Sequence, residues 1–152
     1  VSENERHATQ SVIQDYCDPQ IISEAVHSPL CYAPAEMPEV RIRLEEFAGK
    51  KVILVSGVAT PASFRHTVTE LGADIVDDFT FEDHHPFSEK EIGAIAACQK
   101  KTGAFVIMTE KDYMRDPVRA RRIPQAYILT IKLEIITHHD AFIHRLDRVL
   151  GC

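Results

Sequence analysis

Long apolar runs, paired cysteines and a phosphate loop are all missing from this sequence. Its apolar runs reach about six residues, far short of the roughly 20 that cross a bilayer. The N-terminus is polar and acidic, without the apolar segment of a signal peptide. No Gly-Lys-Ser or Gly-Lys-Thr occurs, so these residues hold no phosphate loop. The 152 residues, 45% apolar and 26% charged, predict one globular domain with an appendage.

The cysteines are few and widely spaced. They are Cys17, Cys31, Cys98 and Cys152. None lies in a Cys-x-x-Cys pair, and no spacing matches a zinc site. We therefore predict free thiols in a reducing cytosol and no metal site built on cysteine.

Acidic residues outnumber basic ones, which gives a formal net charge of −6 and counts against a general nucleic-acid binder. One segment is basic nevertheless, with five Lys and Arg residues between Lys111 and Arg122. Such a run is usually a solvated face, but it could attract acidic head groups or phosphates.

The first 40 residues differ in pattern from the rest. Residues 2–16 predict a helix that opens on a capping box from Ser2 to Glu5. Residues 18–40 hold four of the eight prolines and predict a linker with one short strand near Ile21-Ile22. We predict a helix and connecting segment over 1–40 and an α/β domain over 41–152.

From residue 50 onwards, apolar runs of strand type alternate with helical patterns. The predicted strands are 51–55, 73–76, 104–108 and 125–131. The first helix between them starts at Pro61 with Thr60 as its cap, and the second opens on a capping box from Ser88 to Glu91. A last helix over 138–150 is expected to bury Phe142, Leu146 and Val149, with Thr137 or Asp140 as its cap. Alternation of this kind predicts a Rossmann-like parallel sheet flanked by helices.

Three polar segments each follow a predicted strand. They are Ser56-Gly-Val-Ala-Thr-Pro61, Phe81-Glu-Asp-His-His-Pro-Phe87 and Thr109-Glu-Lys-Asp112. If the strands are parallel, all three reach one edge of the sheet, where ligands of open α/β sheets bind.

Each segment also has a plainer interpretation. The Asp83-His84-His85 cluster could serve acid–base catalysis or ligate a metal, or it could be a turn with surface histidines. The Thr109 segment could meet a phosphate through Lys111, or Thr109 or Asp112 could simply cap a helix. The turn at Gly57 could hold an anion on its backbone N–H groups, or merely need glycine to be tight.

The order of these blocks resembles the C-terminal half of the tetraacyldisaccharide 4′-kinase family. The matching blocks are Gly57-x-Ala-x-Pro-x-x-Phe, Asp83-His-His-Pro-Phe and Thr109-Glu-Lys-Asp-x-x-Arg. The resemblance covers residues 48–132 clearly and 1–47 loosely. It implies the second, Rossmann-like domain of a P-loop kinase.

That family transfers the γ-phosphate of ATP to the 4′-hydroxyl of a disaccharide lipid, in lipid A biosynthesis at the cytoplasmic face of the bacterial inner membrane. The resemblance implies that Asp83 and His84 form a pair supporting a catalytic Asp of the first domain. It implies further that substrate is met by a wider set: His85, Thr109, Glu110, Lys111, Asp112 and Gly57. ATP and Mg²⁺ would be bound mainly by the first domain, so this chain alone is expected to be inactive. The expected partners are the lipid substrate and the inner-membrane surface, with no nucleic acid.

Two other functions are open on the residues alone. One is a metal-dependent hydrolase that uses Asp83, His84 and a distant histidine such as His138. The other is a non-catalytic α/β module whose basic run meets anionic lipid.

Overall fold

The computed structural model of the chain describes residues 3–16, 22–82 and 85–151. Its helices are α1 (Glu3–Gln14), α2 (Pro61–Glu70), α3 (Glu89–Thr102), α4 (Glu110–Arg115), α5 (Pro117–Ala120) and α6 (His139–Leu150). Its strands are β1 (Ala25–Pro34), β2 (Lys51–Ser56), β3 (Asp74–Thr80), β4 (Phe105–Thr109) and β5 (Ala126–Ile135). A short 3-10 helix, Leu44–Phe47, precedes β2. The predicted capping box at Ser2 includes a residue outside the described ranges.

The strands form one sheet in the order β1-β5-β4-β2-β3. Strand β2 pairs in parallel with β3 and β4, and β4 pairs in parallel with β5. These pairings confirm the predicted α/β fold and its parallel core.

Strand β1 differs from the prediction of a linker with a short strand near Ile21-Ile22, of which Ile21 lies outside the described residues. The Ala35 N–H donates to the Ala126 carbonyl, and the Ile136 N–H donates to the Glu24 carbonyl. The end of β1 thus lies beside the start of β5 and the reverse, so the two strands are antiparallel. The sheet is therefore mixed. Pro29 and Pro34 are residues that the sequence pattern associates with linkers. A strand at the edge of a sheet nevertheless tolerates proline, which cannot donate a ladder hydrogen bond.

Alternate residues of the central strand serve two separate apolar layers. Ile53 and Val55 of β2 face a cluster that includes Ile95 of α3. Val52 and Leu54 face the opposite cluster, which includes Val68 of α2. Successive side chains of a strand point to opposite faces, so a four-residue apolar run supplies both layers.

Helix ends follow the sequence signals in part. The capping box of α3 is confirmed, with Ser88 accepting from the Glu91 N–H and Glu91 accepting from the Ser88 N–H. Gly103 ends α3 at a φ of 65°, in the left-handed region that glycine tolerates best. The predicted position of Thr60 is confirmed, since it is the N-cap residue of α2 and Pro61 follows it, but its side chain makes no capping hydrogen bond. Its φ of −130° and ψ of 75° leave the extended conformation in which a cap side chain reaches back.

The chain divides into two compact units. One unit takes in the described parts of Val1–Ser28 and Leu133–Cys152, and the other is Pro29–Lys132. Most of β1 lies in the second unit, and α6 shares the first unit with α1. The division into 1–40 and 41–152 stays a prediction. In the first unit Glu24 accepts hydrogen bonds from Arg6 and Gln10.

Helix α6 departs from its prediction. Phe142 and Leu146 are each 41% exposed and Val149 is 78% exposed. The prediction that these three side chains are buried is therefore wrong. The predicted caps are also wrong, since His138 is the N-cap residue and no side chain caps the helix. Thr137 instead accepts from the Glu24 N–H at 2.8 Å. Among the described residues, no helix is both long and apolar enough to span a bilayer.

The two apolar layers predict where truncation destabilises the fold. Ile95→Ala should lower the free energy of unfolding by about 2–5 kcal/mol, because it opens a cavity at a fully buried site. The matched control is Ile131→Ala on β5, where the side chain is 42% exposed and the loss should stay below about 1 kcal/mol. Urea unfolding followed by circular dichroism measures both. Equal losses at the two sites would contradict this assignment of the core.

Candidate functional site

The three polar segments do meet at one edge of the sheet. Gly57 follows β2, Phe81 follows β3, and Thr109 ends β4. Since these strands are parallel, their carboxyl ends lie side by side. The Phe81 N–H donates to the Ser56 carbonyl at 2.8 Å, which ties the second segment to the first. The predicted convergence is confirmed.

A buried carboxylate, that of Asp112, ties the third segment to the first. Its side chain is 0% exposed. The Gly57 N–H and the Thr109 hydroxyl donate to its Oδ2 at 3.0 Å and 2.6 Å. The guanidinium of Arg115 donates to its Oδ1 at 3.0 Å. A buried carboxylate with three hydrogen-bond donors is satisfied. It therefore fixes the positions of the groups that donate to it, on Gly57, Thr109 and Arg115.

Arg115 extends this link to the second polar segment, residues 81–87, which we call the histidine segment. Its Nη1 donates to the His85 carbonyl at 3.1 Å, and its Nη2 donates to the Gly57 carbonyl at 3.2 Å. The planar guanidinium has donors in a fixed fork, so one side chain can hold three acceptors in set directions. We call Gly57, Asp112 and Arg115 the edge cluster.

Gly57 is required at this point by space rather than by its own φ. A Cβ there would lie 3.0 Å from Nη1 of Arg115, 3.1 Å from Oδ1 of Asp112 and 3.2 Å from the Glu82 carbonyl. The predicted anion-holding turn does hold an anion, but that anion is the Asp112 carboxylate of the same chain. A side chain at position 57 would push apart the ion pair and the segment after β3.

The predicted catalytic pair, Asp83 and His84, lies outside the described residues. The residues on either side are held firmly. The His85 N–H donates to the Glu82 carbonyl at 3.1 Å, and the rings of Phe81 and His85 stack at 5.3 Å with 8° between their planes. Phe87 is 1% exposed and anchors the far end in the core.

His85 also has a carboxylate partner. Its Nε2 lies 2.8 Å and 3.0 Å from the two carboxylate oxygens of Glu91. Hydrogen bonds from the Ser88 amide and hydroxyl, and then the one from His85, lower the pKa of Glu91 to about 2. Glu91 is therefore ionised at neutral pH while it holds the imidazole.

The remaining residues predicted to meet substrate differ in their surroundings. The hydroxyl of Thr109 accepts from the Asp112 N–H at 3.1 Å, so Thr109 caps α4 as predicted. Glu110 and Lys111 lie in the first turn of α4 and are exposed. Contact of Gly57, His85, Thr109, Glu110, Lys111 and Asp112 with substrate stays a prediction.

Two contributors to this site were missed at the level of sequence. Arg115 is the last residue of the Thr109-Glu-Lys-Asp-x-x-Arg block, which indicates no function for it. The sequence predicts Glu91 only as part of the capping box of α3. The spacing of Arg115 three residues after Asp112 was the available signal for an ion pair. Nothing in the local pattern could place either residue against His85.

The basic run is largely paired with the protein's own groups. Arg122 donates to both carboxylate oxygens of Glu89, at 2.6 Å and 2.8 Å. Arg119 donates to Asp116 at 3.0 Å, and Arg121 donates to the Tyr113 hydroxyl at 2.9 Å. The carboxylates of Asp116 and Glu89 therefore offset part of the positive charge of this run.

Metal-ligand geometry is not found in the described part of the chain, where no three His, Cys, Asp or Glu residues are grouped to hold an ion. Nδ1 of His138, the distant histidine of the hydrolase hypothesis, lies 2.7 Å from the Ile22 carbonyl.

Comparison with known proteins gives a family. The model of the family described as LpxK, tetraacyldisaccharide-1-P 4′-kinase, matches residues 3–151. The chain belongs to this family. The resemblance seen in the sequence is thereby confirmed, and neither the hydrolase nor the lipid-binding module gains support.

Curated relatives named tetraacyldisaccharide 4′-kinase match parts of the chain. The protein of Anaeromyxobacter sp. (strain Fw109-5) is 35% identical over 108 residues, which are 70% of this chain and 29% of the relative. That of Agrobacterium fabrum is 37% identical over 98 residues, 64% of this chain and 27% of the relative. The matched part of the chain thus spans less than a third of the length of these kinases.

A solved structure is also similar, namely that of LpxK from Aquifex aeolicus in complex with ATP. It has 16% sequence identity and a TM-score of 0.48, with 81% of this chain and 35% of that chain covered.

The edge cluster predicts a large effect of one truncation. Asp112→Ala should lower the free energy of unfolding by about 3–5 kcal/mol, since it leaves the mostly buried Arg115 guanidinium without its carboxylate partner and the Gly57 N–H without its acceptor. Asp78→Ala is the matched control. That Asp pairs with Arg65 at the same 3.0 Å but with the arginine half-exposed, so the loss should be about 1 kcal/mol or less. Chemical denaturation measures both, and similar losses would contradict the structural role of Asp112.

Replacing either of two glycines by alanine should change the stability of the chain, in opposite directions. Gly57→Ala should destabilise the chain by about 1–3 kcal/mol, because the new methyl group meets the ion pair and the Glu82 carbonyl. Gly93→Ala should stabilise it by about 0.5–1 kcal/mol, since Gly93 lies inside α3 with nothing within 4 Å of the added Cβ. Thermal unfolding followed by circular dichroism distinguishes the two signs. A neutral Gly57→Ala would show that the edge cluster yields to a methyl group.

Proposed function

We propose that this chain is the part of a tetraacyldisaccharide 4′-kinase that presents the Asp83-His84 pair to the reaction. The kinase would transfer the γ-phosphate of ATP to the 4′-hydroxyl of a tetraacyldisaccharide 1-phosphate in lipid A biosynthesis. The observation that carries this proposal is the family match over residues 3–151, joined to a sheet edge that holds the segment on both sides of the pair.

The residues described here do not fit a triphosphate. The strand-to-helix turn after β2 is the place where such a fold would hold phosphate, and its Gly57 N–H already binds the Asp112 carboxylate. The sequence contains no Gly-Lys-Ser or Gly-Lys-Thr. We therefore assign ATP and Mg²⁺ to another part of the kinase.

The contribution proposed for this chain is positioning and proton handling. Asp83 would hold His84, and His84 would orient and tune a carboxylate base supplied by the nucleotide-binding part. The base takes the proton of the attacking hydroxyl group, a step that typically contributes 10²–10⁴-fold. Most of the remaining rate enhancement in phosphoryl transfer comes from alignment and charge neutralisation.

The proposed substrate fixes the proposed place of work. A disaccharide that carries four acyl chains resides in a membrane, so we propose that the kinase acts at the cytoplasmic face of the bacterial inner membrane. In the set proposed to meet its head group, Glu110 and Lys111 are exposed, and His85 and Thr109 are partly exposed.

A transfer assay with ATP, Mg²⁺ and the tetraacyl disaccharide lipid in mixed micelles tests this function. It is run on a longer kinase that contains this sequence. His84→Ala should lower kcat about 100-fold with little change in KM, because the pair acts on the reacting proton rather than on binding. His66→Ala is the control, since His66 is an exposed histidine of α2 that pairs with Glu70.

The same assay on the 152-residue chain alone should show no transfer. Transfer by the isolated chain, or full activity of the His84→Ala kinase, would contradict the division of labour proposed here. Absence of transfer by the longer wild-type kinase would refute the function itself.

A further inference from the structure

Glu91 has a second set of contacts beyond those of a helix cap. Its Oε2 accepts from the Ser88 N–H and the Ser88 hydroxyl, each at 2.7 Å. Both of its oxygens also face Nε2 of His85, at 2.8 Å and 3.0 Å. A capping box alone requires only the contacts with Ser88, so the His85 contact calls for its own explanation.

The carboxylate decides which ring nitrogen of His85 carries the proton. An ionised carboxylate can only accept hydrogen bonds, so Nε2 must be the donor. In the neutral imidazole Nδ1 is then the acceptor. Within the described part of the chain, no hydrogen bond to Nδ1 of His85 is found.

The rest of the His85 residue is fixed as well. Its ring lies flat against Phe81, its N–H bonds Glu82, and its carbonyl accepts from Arg115. Its side chain remains 33% exposed. Glu91 of α3 and Phe81 therefore orient the imidazole, while Glu82 and Arg115 hold the backbone of His85, and the side chain stays partly exposed.

We propose that Glu91 is a positioning residue for His85: its carboxylate holds the imidazole in the Nε2–H form and leaves Nδ1 as the acceptor for a substrate hydroxyl group. Glu91 acts through His85 and does not itself meet substrate. The helix cap and the site then share one side chain, so the start of α3 and the orientation of His85 are set together.

What Nδ1 accepts rests on the proposed function, because a sugar hydroxyl is the group to which that reaction transfers phosphate. How the ring is held rests on the structure alone. The two parts are therefore tested separately.

The first test is an NMR measurement of the imidazole nitrogens in the 152-residue chain, with long-range proton–nitrogen correlation at a pH where His85 is neutral. Wild type should show His85 in a single Nε2–H tautomer. Glu91→Gln keeps a residue that suits the third position of a capping box but removes the charge, and it should give a mixture of tautomers. Glu89→Gln is the matched control, since it makes the same change in the same turn at a carboxylate that pairs with Arg122.

A single unchanged tautomer in Glu91→Gln, or an equal change in Glu89→Gln, would overturn the proposal. Thermal unfolding of all three proteins shows whether a changed spectrum reflects a changed fold. An altered tautomer in a protein that unfolds cooperatively supports the proposal even where no transfer activity is detected. The function and the positioning role thus fail separately.

The second test is a double-mutant cycle in the longer kinase. Glu91→Gln should lower kcat about tenfold or more, while Glu89→Gln should stay within about twofold of wild type. In a His85→Ala background, Glu91→Gln should have no further effect, because its action passes through the imidazole. Additive losses would show that Glu91 acts independently of His85 and would contradict the positioning role.

Discussion

The buried pair of Asp112 and Arg115 is the interaction on which the rest of the sheet edge depends. One carboxylate accepts from the turn after β2, from the end of β4 and from the guanidinium. The guanidinium in turn reaches the carbonyl oxygens of Gly57 and His85. Charges removed from water are tolerated only where every partner is in place, so the pair enforces one arrangement of three segments that are distant in sequence.

This arrangement places an internal anion at the switch point of the sheet, between β2 and β4. The crevice between the ends of β2 and β4 is where such a sheet usually takes an anionic ligand. Here the anion is internal: it is the Asp112 carboxylate, which holds Gly57 directly and His85 through Arg115. The position where such a sheet usually binds an anionic ligand is thus taken by the chain's own carboxylate. This suits a chain that belongs to a kinase family and contains no phosphate-loop sequence.

Sequence patterns predicted the elements that depend on local signals. Strands β2 and β4 followed from apolar runs, and α3 from its capping box. Strand β1 was missed because its prolines read as linker and its pairing with β5 joins residues about a hundred positions apart. The apolar stripe of α6 was expected to be buried, but a stripe predicts only that a face is apolar and not what covers it. The burial of Asp112 could not be predicted either, since it depends on Gly57, which lies 55 residues earlier.

Amide hydrogen exchange in wild type and in Arg115→Gln tests most directly whether the pair holds the histidine segment. The account predicts faster exchange at Phe81 and His85, whose N–H groups bond Ser56 and Glu82 beside the pair. Exchange in the middle of β2, at Leu54, should change little, because that strand is buried between its neighbours. Unchanged exchange at Phe81 and His85, or an equal increase throughout β2, would contradict the claim that Arg115 specifically secures this segment.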